Sequence, residues 1–426
     1  MPLLRAHTFG CKVNFCDTNA LVGALLMAGF ARAGDKHSAD LEIVNTCAVT
    51  SRSAQKARRL IRKIRAAYPH VFLLVMGCAA RIHDTGLLTM SEPDLVSIDQ
   101  DKAAESVCRR FGLAFKGPVT SSLDPSRTRS FIKVQDGCDA WCTYCIVPYL
   151  RGREHSEPPS RVIDQVRGAL DSGHREIVLS GIHLGRYGAR AGNSSLVRLL
   201  EKVAQIGGDF RVRLSSIEPL ELSDELLALM GSSEIFCQHL HVPLQSGSER
   251  ILRAMGRPYS TQQFLERVEQ IRTKLDNPAL TTDIMAGFPG ETDADHEATL
   301  ALINEISPAR AHVFVFSPRP MTPAAHMRPS VDGLTARRRS REIRNLVDKT
   351  ANAFRHTLSG RILQVLPEKA VDGTLEGFCR RYQRVRFEGS NELLGQFVPI
   401  YIITGGEGAD DVLQGLHEKN RKGGMI

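Results

Sequence analysis

Residues 138–145, Cys-Asp-Ala-Trp-Cys-Thr-Tyr-Cys, set three cysteines in the spacing C-x3-C-x2-C, directly after a run, Phe131–Gln135, with strand texture. A loop this tight keeps its three thiols together, so the chain must fold around whatever they bind. Three thiolates can hold three irons of a 4Fe–4S cube and leave the fourth iron without a protein ligand, whereas an electron-transfer cluster usually has four cysteines. An open metal position is where a substrate can bind and react. Zinc is one alternative; it would recruit a fourth ligand, and His155 is the nearest candidate. Three unconnected cysteines are the other.

A second set is dispersed. Cys11, Cys47 and Cys78 each follow a run that reads as a strand: Thr8-Phe9-Gly10-Cys11, Val44-Asn45-Thr46-Cys47 and Val75-Met76-Gly77-Cys78. In an open parallel sheet, sites form outside the carboxyl ends of the strands. The topology would therefore bring these three thiols to one edge, with Gly10 and Gly77 permitting close backbone approach. A chance distribution in a cysteine-rich chain is the alternative. Cys16, Cys108, Cys237 and Cys379 have no comparable setting and are expected to be small buried hydrophobes; Cys16 is near Cys11 but is not expected to be a ligand.

Composition sets the context. With 426 residues, 42% of them hydrophobic and 24% charged, the chain is expected to form two to four globular domains; disordered, collagen-like and disulfide-stapled classes are excluded. No apolar run approaches the ~18 residues needed to span a bilayer, and the start, Met1–His7, lacks a signal-peptide core. A cytoplasmic location is expected, where ten cysteines stay reduced and clustered ones bind metal. The net charge of +8 favours a polyanionic partner such as nucleic acid.

The expected fold class is α/β. Residues 1–115 alternate strand and helix, arguing for a parallel sheet: strands at Leu3–Phe9, Leu41–Asn45 and Val71–Met76, a helix at Ala20–Gly29, and a basic helix carrying Lys56–Arg65. Residues 116–129 read as a linker. Over 130–355, strands are expected at Phe131–Gln135, Glu176–Ser180, Arg211–Ser215, His239–Val242, Leu280–Met285 and Arg310–Phe316. Helices are expected at Ser160–Ser172, Ser223–Met230, Thr261–Leu275 and Asp293–Ile306. Six βα units fit a partial (β/α)6 barrel. Residues 358–418 read as a small all-β, OB-like module with strands at Ile362–Val365, Cys379–Phe387, Gln396–Thr404 and Asp411–Leu416, followed by a basic tail at 419–426.

The six cysteines, Thr8–Asn14, Asn45-Thr46-Cys47, Gly77-Cys78, Val242-Pro243-Leu244-Gln245-Ser246-Gly247-Ser248 and Gly287-Phe288-Pro289-Gly290-Glu291-Thr292 together resemble the radical S-adenosylmethionine methylthiotransferases, from Thr8 to about Leu416. The resemblance implies an amino-terminal cluster domain, a radical S-adenosylmethionine barrel and an RNA-contacting β module called TRAM. The segment Ser180–Gly188, Ser-Gly-Ile-His-Leu-Gly-Arg-Tyr-Gly, together with Gly10–Asn14, is most similar to the branch that acts on N6-threonylcarbamoyladenosine at tRNA position 37. The branches for isopentenyladenosine and for a ribosomal protein usually carry Gly-Gln-Asn-Val and Ala-Gln-Asp segments there. The same chemistry on those substrates, and a non-catalytic iron–sulfur or zinc RNA-binding protein, are the rival readings.

The resemblance further implies two 4Fe–4S clusters and S-adenosylmethionine. The Cys138/Cys142/Cys145 cluster would bind and cleave it, and the Cys11/Cys47/Cys78 cluster would hold the sulfur. No side chain is expected to act as a catalytic acid or base, because the hydrogen on carbon 2 of adenine is not usefully acidic and the cofactors carry the chemistry. By the rule that function gathers at the carboxyl ends of barrel strands, Ser180, Gly181, His183, Glu218, Gln245, Ser246, Asp283 and Gly287 are the candidates for holding S-adenosylmethionine. Expected partners are tRNA, through the anticodon loop at adenosine 37, and a reducing electron donor; a monomer is expected.

Basic segments divide between solvated faces and RNA contacts. Arg151 and Arg153 could meet a ligand carboxylate or phosphate, and the Lys56–Arg65 helix and Arg337–Arg344 could meet tRNA. In the β module, Arg380, Arg381, Arg384 and Arg386 beside Tyr382 and Phe387 suit single-stranded RNA, although aromatics at strand spacing are often only core.

Overall fold

A computed structural model describes residues 1–34, 37–82, 86–117, 119, 128–190, 195–404 and 411–417. Backbone contacts divide the chain into one unit of 1–124, 131–155 and 317–325, and another of 125–130, 156–316 and 326–426. Segments 131–155 and 317–325, assigned by sequence to the barrel domain, thus group with the first 124 residues. Most of the expected linker and all of the tail at 419–426 lie outside the described residues. No described helix is long and apolar enough to cross a membrane.

The first unit is built on five parallel strands, β1 (Leu3–Thr8), β2 (Ala31–Arg32), β3 (Leu41–Thr46), β4 (Phe72–Gly77) and β5 (Leu95–Ser97), in the order β2-β1-β3-β4-β5. Three helices connect them: α1 (Lys12–Ala28), α2 (Ser51–Ala67) and α3 (Gln100–Arg110). Ile43, Leu74 and Met76 pack with Leu21 and Leu25 of α1 and Val107 of α3. Val44, Leu73 and Val75 pack with Ile61 and Ile64 of α2, and with Ile146 and Leu150 just beyond the three-cysteine loop. Both faces of the sheet are covered, which is why β4 reads as a continuous apolar run and β3 is buried along its whole length.

Helix α1 begins at Lys12, well before the expected Ala20, and ends on Gly29 at φ 115°. The sequence period fails at its start because Asn14, Asp17, Thr18 and Asn19 are polar yet buried. Strand β5 and helix α3 also lacked a sequence signal strong enough to single them out.

In the second unit, strands Arg211–Leu214 and Glu176–Ser180 pair in parallel. Strands His239–His241, Ala279–Ala286 and Arg310–Val315 form a second parallel set. Two isolated bridges, Val212 to Phe236 and Ser216 to His241, link the two sets. With the helices between them, these strands form the partial (β/α) barrel that the alternation predicts. The arginine segment after it is part of a long helix, Gly333–His356, unread in the sequence because its buried positions include Arg339, Ser340 and Thr350 beside Ile343 and Val347.

The last five strands, Ile362–Val371, Thr374–Cys379, Arg384–Glu388, Val398–Thr404 and Val412–His417, close into a small barrel. The expected strand Cys379–Phe387 is two strands: the chain turns at Tyr382, whose φ is 57°. That turn removes the alternation of arginines and aromatics on which the RNA expectation rested. Arg380 donates to the carbonyls of Phe236 (2.7 Å) and Glu234; Arg381 donates to the carbonyls of Asn277 and Asp276 (both 2.9 Å). Arg384 and Arg386 both reach Glu376 at 3.1 Å. Tyr382 stacks on Phe378 at 4.9 Å and is covered by the Arg213 guanidinium at 4.7 Å. Arg380, Arg381 and Tyr382 fasten the β module to the barrel, whereas Arg384 and Arg386 are tied within the module.

Beneath them lies a buried ion triad. Glu176 receives Arg211 Nε at 2.6 Å and Arg213 Nε at 2.8 Å, and all three side chains are buried. The guanidiniums also donate to the carbonyls of Gln364, Phe378, Cys379 and Arg380 in the module. Burial alone would raise the Glu176 carboxyl, but the two arginines hold it well below the usual carboxylate range. Removing one member of such a network leaves uncompensated buried charge. Glu176→Ala is therefore expected to lower stability by roughly 3–5 kcal/mol in urea denaturation. A loss under ~1 kcal/mol, as for an exposed pair, would contradict this account.

Candidate functional site

The sheet order places its switch point between β1 and β3, where a doubly wound sheet binds ligands beyond its strand ends. Thr8 registers with Asn45, and Thr46 with Gly77, so Cys11, Cys47 and Cys78 leave one edge of the sheet. Gly10, at φ 103°, lies so close that an added Cβ would be 2.8 Å from both Cβ and Sγ of Cys47. A Cβ on Gly77, at φ 99°, would be 2.1 Å from Asn45 Oδ1. Neither position admits a side chain.

Asn14 ties the three strand ends together. Its Nδ2 donates to Phe9 O (3.0 Å) and Thr46 O (2.9 Å), and its Oδ1 lies 3.6 Å from Cys78 Sγ. Asn45 Nδ2 donates back to Asn14 O at 2.8 Å, while Asn45 Oδ1 is buried with no hydrogen-bond partner among the described residues. Burial pushes the Cys47 thiol up to about 11; the Val49 N–H lowers it, Cys11 and Cys78 raise it further, and Arg151 lowers it. Burial likewise raises Cys78, against the opposing charge of Arg151.

Arg151 is the cation beside these thiols. Its guanidinium donates to both Asp136 oxygens (3.0 and 2.9 Å), to Asn14 Oδ1 (2.5 Å) and to Asp17 Oδ2 (2.9 Å). Lys133 also bridges Asp17 (2.6 Å) and Asp136 (3.0 Å). Arg151 is thus engaged inside the unit, which corrects the expectation that it meets a ligand carboxylate or RNA phosphate. The network borders a cavity of about 620 Å³ that reaches Cys78. On the Cys47 side, buried Arg319 donates to Ala48 O (3.3 Å), Ser317 Oγ (3.0 Å) and Ser51 Oγ, with no carboxylate ion pair among the described residues.

The C-x3-C-x2-C loop starts at the residue after Gly137, whose own N–H donates to Asp136 Oδ1 at 2.8 Å. Cys138 N donates to Gly152 O (3.1 Å), Cys145 N to Cys142 O (2.9 Å), and Trp141 sits at a strained φ of 50° with its ring 54% exposed. None of the ten cysteines is joined in a disulfide. Among the described residues, no three His, Cys, Asp or Glu side chains converge on the geometry of a single ion. His155 is exposed, with Nδ1 3.5 Å from Arg153 O.

In the second unit, seven of the eight candidate ligand residues fall at or beyond barrel strand ends and Asp283 lies within the strand Ala279–Ala286, with unequal roles. Ser180 ends its strand fully buried, and Gly181 N donates to Ser215 Oγ at 3.2 Å. His183 Nε2 is 2.6 Å from Glu221 Oε1. Burial raises the Glu218 carboxyl while Arg257, which donates to it, works the other way. Gln245 adopts φ 65°, a strained conformation for this residue, and its buried Oε1 has no partner among the described residues. Asp283 accepts from His241 (3.1 Å) and His312 (3.2 Å); burial would raise it, but these bonds hold it below the usual range. Ser246 Oγ accepts from Ser248 N at 3.2 Å, and a Cβ on Gly287 would be 2.5 Å from Ala336 Cβ, so both serve the local fold.

Two family descriptions match: Uncharacterized protein family UPF0004 over residues 4–97 and the Radical SAM superfamily over 132–303. The chain is 33% identical to the threonylcarbamoyladenosine tRNA methylthiotransferase MtaB of Bacillus subtilis, over 95% of both chains. It is 35% identical to that of Thermotoga maritima over 93% of both. A tRNA-2-methylthio-N(6)-dimethylallyladenosine synthase of Carboxydothermus hydrogenoformans is 32% identical, over 93% of this chain and 96% of that one. This chain belongs to the radical S-adenosylmethionine methylthiotransferase family. In fold it is similar to TsrM, a radical S-adenosylmethionine methyltransferase from Kitasatospora setae, at TM-score 0.56 and 13% identity, over 76% of this chain and 75% of that one.

The donor sets fit the methylthiotransferase cofactors. Cys11, Cys47 and Cys78 with the Arg151 cation beside them suit iron, and the orphaned Gln245 Oε1 suits a ligand that donates a hydrogen bond. Sequence reasoning missed Asn14, Asn45, Arg257 and Arg319; Asn14 and Asn45 stood inside motifs already singled out, but nothing in their spacing signalled a shared role. With iron removed, the methylthiotransferase is expected to lose stability as pH rises from about 8.5, the ordinary thiol value, towards 11. Folded Cys47 keeps its proton over that range and the unfolded thiol sheds it. Urea denaturation of the metal-free protein checks this; stability that stays level or rises would contradict it.

Proposed function

We infer that this chain is a tRNA methylthiotransferase that converts N6-threonylcarbamoyladenosine to its 2-methylthio form. The observation that carries the reading is 33–35% identity to threonylcarbamoyladenosine tRNA methylthiotransferases over more than nine-tenths of both chains. The segment Ser180–Gly188 supports the same substrate over isopentenyladenosine. The adenosine is the one at position 37 of the anticodon loop, an external reductant supplies electrons, and the enzyme acts as a cytoplasmic monomer.

Cys138, Cys142 and Cys145 would hold one 4Fe–4S cluster, and Cys11, Cys47 and Cys78 the other. Bound there, the clusters and S-adenosylmethionine supply the one-electron and sulfur chemistry that an unactivated C–H bond demands. The chain supplies position and charge. Asn14 fixes the strand ends bearing the thiols. Arg151, held by Asp17 and Asp136, keeps a cation beside Cys78 and Cys11. Across the barrel strand ends, Ser180, Gly181, His183, Glu218 with Arg257, Gln245 and Asp283 offer donors and acceptors of both charges to an amino acid and a ribose. Ser246 and Gly287 support the loops that carry them.

The two cysteine sets separate in their effects. Cys142→Ala is expected to abolish S-adenosylmethionine cleavage. Cys47→Ala is expected to leave that cleavage at least partly active and to stop sulfur insertion. Quantifying 5′-deoxyadenosine together with nucleosides from digested tRNA checks both; full 2-methylthio product from Cys47→Ala would overturn the assignment of the second site. A deletion strain whose 2-methylthio-N6-threonylcarbamoyladenosine peak is unchanged would reject the substrate.

A further inference from the structure

Helix α2 carries seven basic residues and no acidic one. Its buried face is Ala54, Ala57, Ile61 and Ile64. Arg65 is engaged by the Glu92 and Val71 carbonyls and by Asp94, and Arg62 reaches Glu92 at 3.4 Å. The opposite face presents Arg52, Lys56, Arg59 and Lys63, spaced four, three and four residues apart and all exposed. At ~100° and ~1.5 Å per residue, the four fall within an arc of about 60° and form a line about 16 Å long. Their side chains make no ion pair or hydrogen bond among the described residues.

Like charges three and four residues apart weaken a helix. No described residue of this unit offsets the row, and a polyanionic partner would supply the compensation. A stacked nucleic-acid strand carries a phosphate every ~3.4 Å, and a line of this length spans about five of them. A membrane surface fits less well, because the apolar face of α2 is already buried and cannot insert. The helix also starts at the site: its N-cap, Thr50, is the third residue after Cys47. The arginines that sequence favoured for RNA are bonded to protein carbonyls and to Glu376.

We propose that Arg52, Lys56, Arg59 and Lys63 of α2 form a phosphate-binding row that holds the tRNA backbone beside the Cys11/Cys47/Cys78 edge. The proposal rests on the tRNA reading above and adds where the tRNA is gripped.

The test uses the full-length, iron-loaded protein and tRNA bearing N6-threonylcarbamoyladenosine, with affinity measured against salt concentration. In the variant Arg52→Gln/Lys56→Gln/Arg59→Gln/Lys63→Gln, the slope of log K against log salt is expected to fall by about three, at ~0.7 per lost single-strand phosphate contact. Iron content, thermal midpoint and tRNA-free S-adenosylmethionine cleavage are expected to match the wild type. The Arg384→Gln/Arg386→Gln variant is expected to keep the wild-type slope. A wild-type slope in the fourfold variant, or an equal loss in the β-module variant, would overturn the proposal. So would loss of binding to anionic phospholipid vesicles with the tRNA slope unchanged, which would assign the row to a membrane surface. If the fourfold variant fails to load iron, the four single variants each lose about 0.7 of the slope or the proposal fails. Wild-type protein that binds no tRNA contradicts the tRNA reading itself.

Discussion

Parallel strand pairing in the order β2-β1-β3-β4-β5 is the constraint on which the rest depends. Parallel strands all end at one edge, and the reversal of winding between β1 and β3 opens a crevice there. Three cysteines separated by dozens of residues in sequence are gathered only because each follows one of these strands. The glycines at 10 and 77 and the side chain of Asn14 then set how closely the strand ends approach. The C-x3-C-x2-C loop joins the same unit through Ile146 and Leu150, which bury against the sheet face covered by α2. Two three-thiol sites thus share one core while being encoded in different parts of the chain.

Charge is arranged to match. Burial makes the Cys47 and Cys78 thiols hold their protons, and a metal group that takes them as thiolates must overcome that cost. Arg151 is buried beside them but is itself tied to Asp17 and Asp136, with Lys133 joining the same two carboxylates. The cation is therefore fixed in place instead of being free to collapse onto a thiolate. Arg319, whose partners among the described residues are neutral oxygens, adds positive charge on the Cys47 side. In the second unit the same logic serves structure, where Arg211 and Arg213 share Glu176 and reach the carbonyls of the β module.

Much of this was legible in the sequence. Strand Glu176–Ser180 and helix Asp293–Ile306 stand where the patterns put them: Ile177, Val178 and Leu179 make an apolar run, and Thr292 with Asp295 opens the helix with a capping box. That Cys11, Cys47 and Cys78 leave one edge of a parallel sheet was legible from the strand endings. What stayed hidden follows one physical rule: polar side chains buried for a purpose break the pattern that reveals an element. Asn14, Asp17 and Thr18 masked the first turns of α1, and Arg339 and Ser340 masked part of the helix Gly333–His356. Arginines misled for the complementary reason. Arg151, Arg380 and Arg381 read as contacts for a ligand or RNA, yet each makes several bonds to acceptors that only the folded chain brings near.

The central claim is that two separate sets of three cysteines each hold a four-iron cluster. Iron and sulfide counts on anaerobically reconstituted protein test it most directly. The account predicts about eight irons per chain for the wild type and about four for either Cys11→Ala/Cys47→Ala/Cys78→Ala or Cys138→Ala/Cys142→Ala/Cys145→Ala. A wild-type count of about four that only the second triple variant removes would contradict it.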